Sequence, residues 1–372
     1  MKVLLVGNYK YDGSMSMQVW ASALERELSE RDIDVRVVRP RAFFGRLKPS
    51  ADGIGKWLGY IDRFLIFPLV LRWAARKADV VHICDHSYSM YSVCTGGRPT
   101  VVTCHDLLAV RGALGELTDC PASRFGRILQ HMILRGLENA TKVVCVSKYT
   151  YEDAQRLLES AQHVCVILNG LNYAYRPLDP AEIKQRLAGI AGLDRQFVLH
   201  IGSNLPRKNR EGILRTFAMA VKGVDLQLVF SGVVLNQSLM ELARELGIEK
   251  RIVNVSQPDV RTLEALYSKA TLLIFPSRFE GFGWPPIEAQ ACGCPVVASS
   301  IPPLMEVLGD SAVIKPLDDE AGMAEAVVRI ATDELYREEL RKRGFENVHK
   351  RFGMARMIGE YITLYMEFAC RS

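Results

Sequence analysis

Phe275-Pro-Ser-Arg-Phe-Glu280-Gly-Phe-Gly-Trp-Pro-Pro-Ile-Glu288-Ala is the stretch from which the fold and chemistry of this chain are read. The apolar run before it, Thr271 to Phe275, predicts a buried strand ending at Pro276. A glycine-containing loop follows, Phe279 to Trp284. Pro285 and Pro286 then open a helix, because proline suits a first helical turn. Glu280 and Glu288 bracket this turn with seven residues between them. A strand, a glycine loop and a helix N-terminus together make an anion site in α/β folds. Backbone N–H groups near Gly281, Phe282 and Gly283 are placed to meet a diphosphate. A carboxylate beside that phosphate suits a vicinal diol, since it accepts two hydrogen bonds. The loop therefore fits a group carrying both phosphate and sugar hydroxyls. The bland alternative is an ordinary strand-loop-helix with two solvated glutamates.

Working outward, 372 residues are too many for one ordinary core and suit two domains. A composition of 49% hydrophobic and 24% charged residues predicts a soluble globular protein. The net charge of +5 is too mild to argue for nucleic acid, but it suits an anionic donor or an anionic membrane surface. Nine scattered cysteines without a Cys-x-x-Cys read as reduced thiols of a cytoplasmic protein, not as a disulfide or zinc framework. The opening run, Met1 to Gly7, is too short for a signal peptide and reads as a first strand. The most hydrophobic region, Trp57 to Ala75, is interrupted by Asp62, Arg63, Pro68 and Arg72. It is read as a core-packed helical segment in preference to a membrane attachment.

Strands and helices alternate through both halves. Short apolar runs at 3–7, 35–38, 80–83, 100–103, 142–146 and 164–168 predict one buried parallel sheet. Asn169-Gly170 signals a turn, and Pro177 and Pro180 mark the connection between domains. The pattern restarts at Phe197 and builds a second sheet through 314. The expected domains are 1–172, 173–353 and a final helical segment, 354–372. Two Rossmann-like halves place ligands at the carboxyl ends of their strands, in the cleft between domains.

Three further motifs carry chemistry. Ile201-Gly-Ser-Asn-Leu-Pro-Arg207-Lys208-Asn209 is the first βα loop of the second half. Arg207 and Lys208 there neutralise a nucleotide diphosphate, both bound and as it leaves, in place of a metal. His105, in Val101-Val-Thr-Cys-His105-Asp106, ends a buried strand, where a neutral imidazole meets a sugar hydroxyl or acts structurally. His82 and His86 follow another strand without metal-type spacing and read as acceptor-site or structural groups. Asp12-Gly13-Ser14-Met15 is a permissive loop before a helix, with Gly13 allowing close backbone approach. It lacks Gly-x-Gly-x-x-Gly, which counts against a dinucleotide dehydrogenase. Glu306 follows a later strand and is a further cleft candidate.

The segment Glu280-Gly-Phe-Gly-x-x-x-x-Glu288-Ala, followed by Ala291-Cys-Gly-Cys-Pro-Val-Val-Ala-Ser, resembles the donor-site signature of family 4 (group 1) glycosyltransferases. The resemblance covers the second half well and the first half more thinly. It implies a GT-B fold, with the C-terminal helix crossing back to the first domain. It also implies a retaining hexosyltransferase that uses a nucleotide diphosphate sugar, GDP-mannose or a UDP-sugar, and a hydroxyl acceptor such as a polysaccharide, glycolipid or small glycoside. No metal or other cofactor is expected, and any membrane contact is peripheral. In that scheme Glu280 anchors the hexose hydroxyls and Glu288 the ribose diol. Backbone groups of Phe282, Gly283 and Trp284 hold the diphosphate with Arg207 and Lys208, and the Gly13 loop approaches it. Lys208 matches the family lysine. The more usual arginine position holds Ser203 or Asn204, and Arg207 substitutes for it. His105-Asp106 matches a His-Asp dipeptide proposed to contact donor or acceptor. Ser147 and Asn169-Gly170 also match family positions, and as a strand-end cap and a turn they have plain structural readings. Two other classes stay open: an inverting transferase with His105 and Asp106 as base, and a non-catalytic nucleotide-sugar-binding subunit.

Overall fold

A computed structural model describes residues 1–12, 15–47, 53–160 and 162–369, so Gly13 lies outside the described residues. The chain divides into two compact units, Met1–Asn172 with Met354–Ser372, and Tyr173–Gly353. The first holds strands β1 (Lys2–Val6), β2 (Asp34–Val38), β3 (Val80–Ile83), β4 (Thr100–Cys104), β5 (Lys142–Cys145) and β6 (Val164–Val166). Their order is β2-β1-β3-β4-β5-β6, parallel throughout. Strands β3 and β4 are buried along their whole length, as a sheet covered on both faces requires.

The second unit holds β7 (Phe197–Gly202), β8 (Gln227–Gly232), β9 (Ile252–Ser256), β10 (Leu272–Phe275), β11 (Val296–Ser299) and β12 (Val313–Lys315). The order β12-β11-β10-β7-β8-β9 is again parallel throughout. Each unit has its own apolar core. Strand order reverses between β1 and β3 in one sheet and between β7 and β10 in the other. Crossover helices lie on opposite faces there, and a crevice opens at the strand ends.

Two readings of the sequence change. The connection expected around Pro177 and Pro180 contains a helix, Pro180–Arg186, with Pro180 in its first turn and Asp179 accepting the Glu182 N–H at 2.8 Å. The region from Trp57 to Ala75 is helical but only half in the core. Phe67, Leu71, Ala74 and Ala75 are buried, while Trp57, Leu65, Leu69 and Trp73 are exposed. The plain structural readings of Ser147 and Asn169 have partners in the fold, and both residues are buried. Ser147 caps the helix Lys148–Leu157, and Asn169 accepts the Trp20 indole N–H at 3.0 Å.

The helix Met354–Ala369 packs within the first unit through Met357, Ile358, Tyr361 and Tyr365. Tyr365 hydroxyl lies 2.6 Å from His82 Nδ1, His82 Nε2 lies 2.8 Å from Thr103 Oγ1, and Thr103 lies 2.9 Å from Tyr361 hydroxyl. All four side chains are buried. His82 is thus structural, and burial depresses its pKa to about 3, so the ring is neutral. Tyr365→Phe strands one buried ring nitrogen and is expected to cost about 1–3 kcal/mol. Hydrogen exchange should show the loss as weaker protection across 354–369. Unchanged protection would mean that the apolar contacts alone hold the helix.

Candidate functional site

Strands β7 and β10 are hydrogen-bonded neighbours at the switch point of the second sheet, so the loops leaving their carboxyl ends meet. The β7 loop makes one 3₁₀ turn, Pro206–Lys208, and the helix Arg210–Ala220 follows. The β10 loop runs from Pro276 to Gly283. Arg278 ties the two together: its backbone N–H donates to the Arg207 carbonyl at 2.7 Å, and its Nη2 donates to Asn209 Oδ1 at 3.2 Å. Asn209 sits in the left-handed region with φ of 52°, which asparagine tolerates better than other side chains.

This crossing brings Arg207, Lys208 and Glu280 together. Lys208 Nζ donates to Glu280 Oε1 at 2.6 Å, and Arg207 Nη1 lies 3.6 Å from Glu280 Oε2. The Lys208 ammonium also sits 4.9 Å from the centre of the Phe275 ring. The Lys208 and Glu280 side chains are 12% and 10% exposed, whereas Arg207 is 32% exposed. One carboxylate thus holds two cations at the surface of a largely desolvated crevice. The two cations are thereby held in fixed positions by the same carboxylate.

The helix Trp284–Ala291 starts where the sequence placed it, with Pro285 and Pro286 in its first turn. Gly283 precedes it with φ of 103°, and a Cβ there would lie 2.7 Å from Leu304 Cδ2. Only glycine makes this entry without strain. Phe282 is buried and packs edge-on against Phe352 at 5.7 Å and Trp284 at 6.0 Å, anchoring the loop from below. Glu288 is buried one turn into the helix and accepts the Tyr267 hydroxyl at 2.8 Å. Burial raises its pKa to about 7, against the smaller opposing effect of that hydrogen bond. A buried carboxylate with one donor retains acceptor capacity for further hydroxyls.

In the first unit, His105 follows β4 and is buried. Its Nε2 lies 3.0 Å from the Cys84 carbonyl, so that nitrogen carries the proton and Nδ1 is the acceptor. Trp20 packs edge-on at 5.3 Å. Burial lowers the pKa of the ring, against the opposing charge of Asp85. Asp106 Oδ1 accepts the Leu108 N–H at 3.0 Å. His86 accepts the His105 backbone N–H at 3.4 Å. Asp12, beside Gly13, is 2.8 Å from Arg63 and accepts the Tyr88 hydroxyl. Glu306 lies on the helix Pro302–Leu308, away from the Glu280 cluster in sequence, and its carbonyl accepts Arg351 at 2.6 Å.

Two site residues escaped the sequence reading. Arg210 is buried, with no carboxylate paired to it among the described residues. It donates to the Gly202 and Val233 carbonyls at 2.7 Å each, and to Asn204 Oδ1 at 2.5 Å. It thereby clamps the ends of β7 and β8, where Gly232, with φ of 110°, approaches the Gly202 carbonyl. Its place directly after Lys208-Asn209 was the available signal. Tyr267, the partner of Glu288, lies on the helix Val260–Lys269, and nothing local in the sequence pairs the two.

Residues 184–347 match the family described as "Glycosyl transferases group 1", and residues 17–175 match "Glycosyltransferase Family 4". O-antigen chain mannosyltransferase B of Escherichia coli is 27% identical over 248 residues, 64% of this chain and 64% of that protein. The chain spans less than two thirds of the length of this and two further curated relatives, 57% to 64%. Among solved structures, sucrose-phosphate synthase from Thermosynechococcus elongatus superposes with a TM-score of 0.78 at 21% identity, covering 100% of both chains. HepE of Anabaena, solved with UDP and glucose, gives 0.74 at 18% identity over 99% of this chain and 100% of that one. These superpositions identify the fold as GT-B. With its two halves matched by the two complementary models, the chain belongs to the family 4, group 1 glycosyltransferases.

Proposed function

We propose that this protein transfers a hexose from a nucleotide diphosphate sugar to a hydroxyl acceptor, with retention of anomeric configuration. The observation that carries the reading is the Arg207–Lys208–Glu280 cluster at the β7/β10 switch point, beside the Gly283 helix entry and buried Glu288. In this reading the ionised Glu288 accepts the ribose diol, and the backbone of Phe282, Gly283 and Trp284 meets the diphosphate. Glu280 keeps Lys208 aimed while accepting hexose hydroxyls. As the glycosidic bond breaks, its electron pair goes to the phosphate oxygen, whose growing charge Arg207 and Lys208 stabilise. The acceptor hydroxyl oxygen bonds to the anomeric carbon on the same face of the sugar, and its proton passes to that phosphate oxygen. The two side-chain cations supply this charge stabilisation, so divalent metal is not required.

The name of the Escherichia coli relative supports a mannosyl donor, and the UDP-bound Anabaena protein supports a nucleoside diphosphate leaving group. GDP-mannose is the first donor to test, and UDP-sugars the second. The inverting alternative needs His105 as base. Its burial lowers basicity, which supports the retaining reading.

The test is transfer and donor hydrolysis across a panel of nucleotide sugars, with the product anomer read by NMR. A retained anomer is expected. Glu280→Ala should cut turnover at least tenfold and lower nucleotide diphosphate affinity by less than it lowers turnover, since it removes the sugar contact and only loosens Lys208 and Arg207, which remain to meet the diphosphate. An inverted product would overturn the mechanism. Absence of both transfer and hydrolysis with every donor would favour a binding subunit.

A further inference from the structure

In the helical run from Trp57 to Ala75, Asp62 and Arg63 are held against the protein while one row of apolar side chains is exposed. Asp62 is its only carboxylate from Trp57 onward, and it is buried. It accepts the backbone N–H groups of Phe44 at 3.0 Å and Gly45 at 2.9 Å, and lies 3.2 Å from the Tyr9 hydroxyl. Arg63 is spent on Asp12 at 2.8 Å and stacks over Tyr60 at 4.8 Å. Asp62 and Arg63 therefore put no charge on the outer face, and Arg72 is exposed near its end.

That outer face carries Trp57, Ile61, Leu65, Leu69 and Trp73, spaced by four. Trp57, Leu65, Leu69 and Trp73 are 61%, 67%, 72% and 55% exposed. A strict four-residue spacing drifts around an α-helix of 3.6 residues per turn. Here Asp62–Ile66 form one wider π-helical turn, with the Phe67 N–H bonded to the Asp62 carbonyl, and this turn offsets the drift. The helix Arg124–Glu138 extends the face: Phe125 packs on Trp57 at 5.7 Å and Tyr60 at 5.4 Å, with Ile128 and Met132 exposed beyond.

Cations border this surface. Arg72, Arg76 and Lys77 are exposed at one end, and Arg124, Arg127 and Arg135 along the second helix, where no carboxylate occurs before Glu138. Two like-charged copies pressed face to face would set these cations against each other. Apolar side chains with tryptophans near both ends and a cationic margin match instead the boundary between lipid acyl chains and anionic headgroups. We propose that the face formed by Trp57, Leu65, Leu69, Trp73, Phe125 and Ile128 docks on an anionic lipid bilayer, lying in its surface without crossing it. No helix among the described residues is long and apolar enough to cross a membrane. This proposal stands independently of the transfer reaction.

Co-sedimentation of the full chain tests it, using vesicles of phosphatidylcholine alone and of phosphatidylcholine mixed with phosphatidylglycerol. The protein should pellet with the mixed vesicles and much less with phosphatidylcholine. Arg72→Gln/Arg76→Gln/Lys77→Gln should weaken binding about fivefold per cation removed, about a hundredfold together. Leu65→Ser/Leu69→Ser should abolish it, with circular dichroism unchanged because both side chains are exposed. A second readout needs no weakened variant. Brominated lipid should quench wild-type tryptophan emission, and Trp57→Phe/Trp73→Phe should lose most of that quenching while still pelleting. Wild type left in the supernatant, equal binding to both vesicle types, or persistent binding by the Leu65/Leu69 variant would each overturn the proposal. So would a dimer in solution that this variant dissociates, since a second copy would then cover the face.

Discussion

Lys208→Ala is expected to lower turnover by roughly 10²-fold or more, by comparison with the loss of a single oxyanion donor. The ammonium sits 2.6 Å from Glu280 in a site that is about one-tenth exposed, so its charge is weakly screened and already aimed. Its loss also leaves Glu280 with only Arg207, at 3.6 Å and more exposed. Donor binding should weaken less than turnover, because the charge on the departing phosphate grows toward the transition state. Wild-type activity should survive EDTA. Steady-state kinetics with and without chelator check both statements. A fully active Lys208→Ala variant, or complete loss of wild-type activity in EDTA, would remove the side-chain cations from the mechanism.

Glu288→Gln is expected to stabilise the protein while weakening its hold on nucleotide. Burial raises the carboxyl pKa from 4.5 to about 7, so the folded state holds a proton that the unfolded chain releases between these values. The associated stability is full below about pH 4.5 and is lost as pH rises through about 7. By pH 8 the ionised, buried carboxylate costs about 3 kcal/mol, an amount that glutamine avoids. The variant should therefore match wild type near pH 4.5 and exceed it progressively above, as read by denaturation at a series of pH values. Nucleotide affinity moves the other way. A ribose diol donates best to the ionised carboxylate, so wild-type affinity should rise with pH up to about 7 and then level off. Glu288→Gln should bind nucleotide diphosphate about 10- to 100-fold more weakly, the worth of a hydrogen bond to a charged group, and without that pH dependence. Calorimetry at several pH values decides. A flat wild-type profile would place the ribose elsewhere.

The buried histidines oppose this slope. His82 and His200 are both held neutral by burial, each with a pKa lowered to about 3. The unfolded chain binds protons there that the fold refuses, so their contribution is lost as pH falls below about 6.5.

The sequence by itself determined the architecture and the raw material of the site. Apolar runs of strand length alternating with amphipathic helices specify parallel sheets, because each strand must be covered on both faces. The prolines and glycine of Gly283-Trp284-Pro285-Pro286 specify a helix start through backbone sterics alone, and the helix Trp284–Ala291 begins there. Short elements were less legible. The helices Leu108–Ala113 and Pro302–Leu308 are too brief to show a period, and Pro180 reads equally as a linker or a first helical turn.

Only the tertiary structure decided who meets whom. Lys208 and Glu280 are 72 residues apart in sequence and are joined because β7 and β10 are neighbours at the strand reversal. Glu288 shares its helix pattern with solvated glutamates; the Tyr267 helix laid over it makes it a buried acid. Arg210 carried no site role in the sequence and is a buried clamp between two strand ends. Asp62 looked like the charge that keeps Trp57–Ala75 off a membrane, and it points into the protein instead. Periodicity reports which residues share a face, but which face is covered depends on neighbours supplied from elsewhere in the chain.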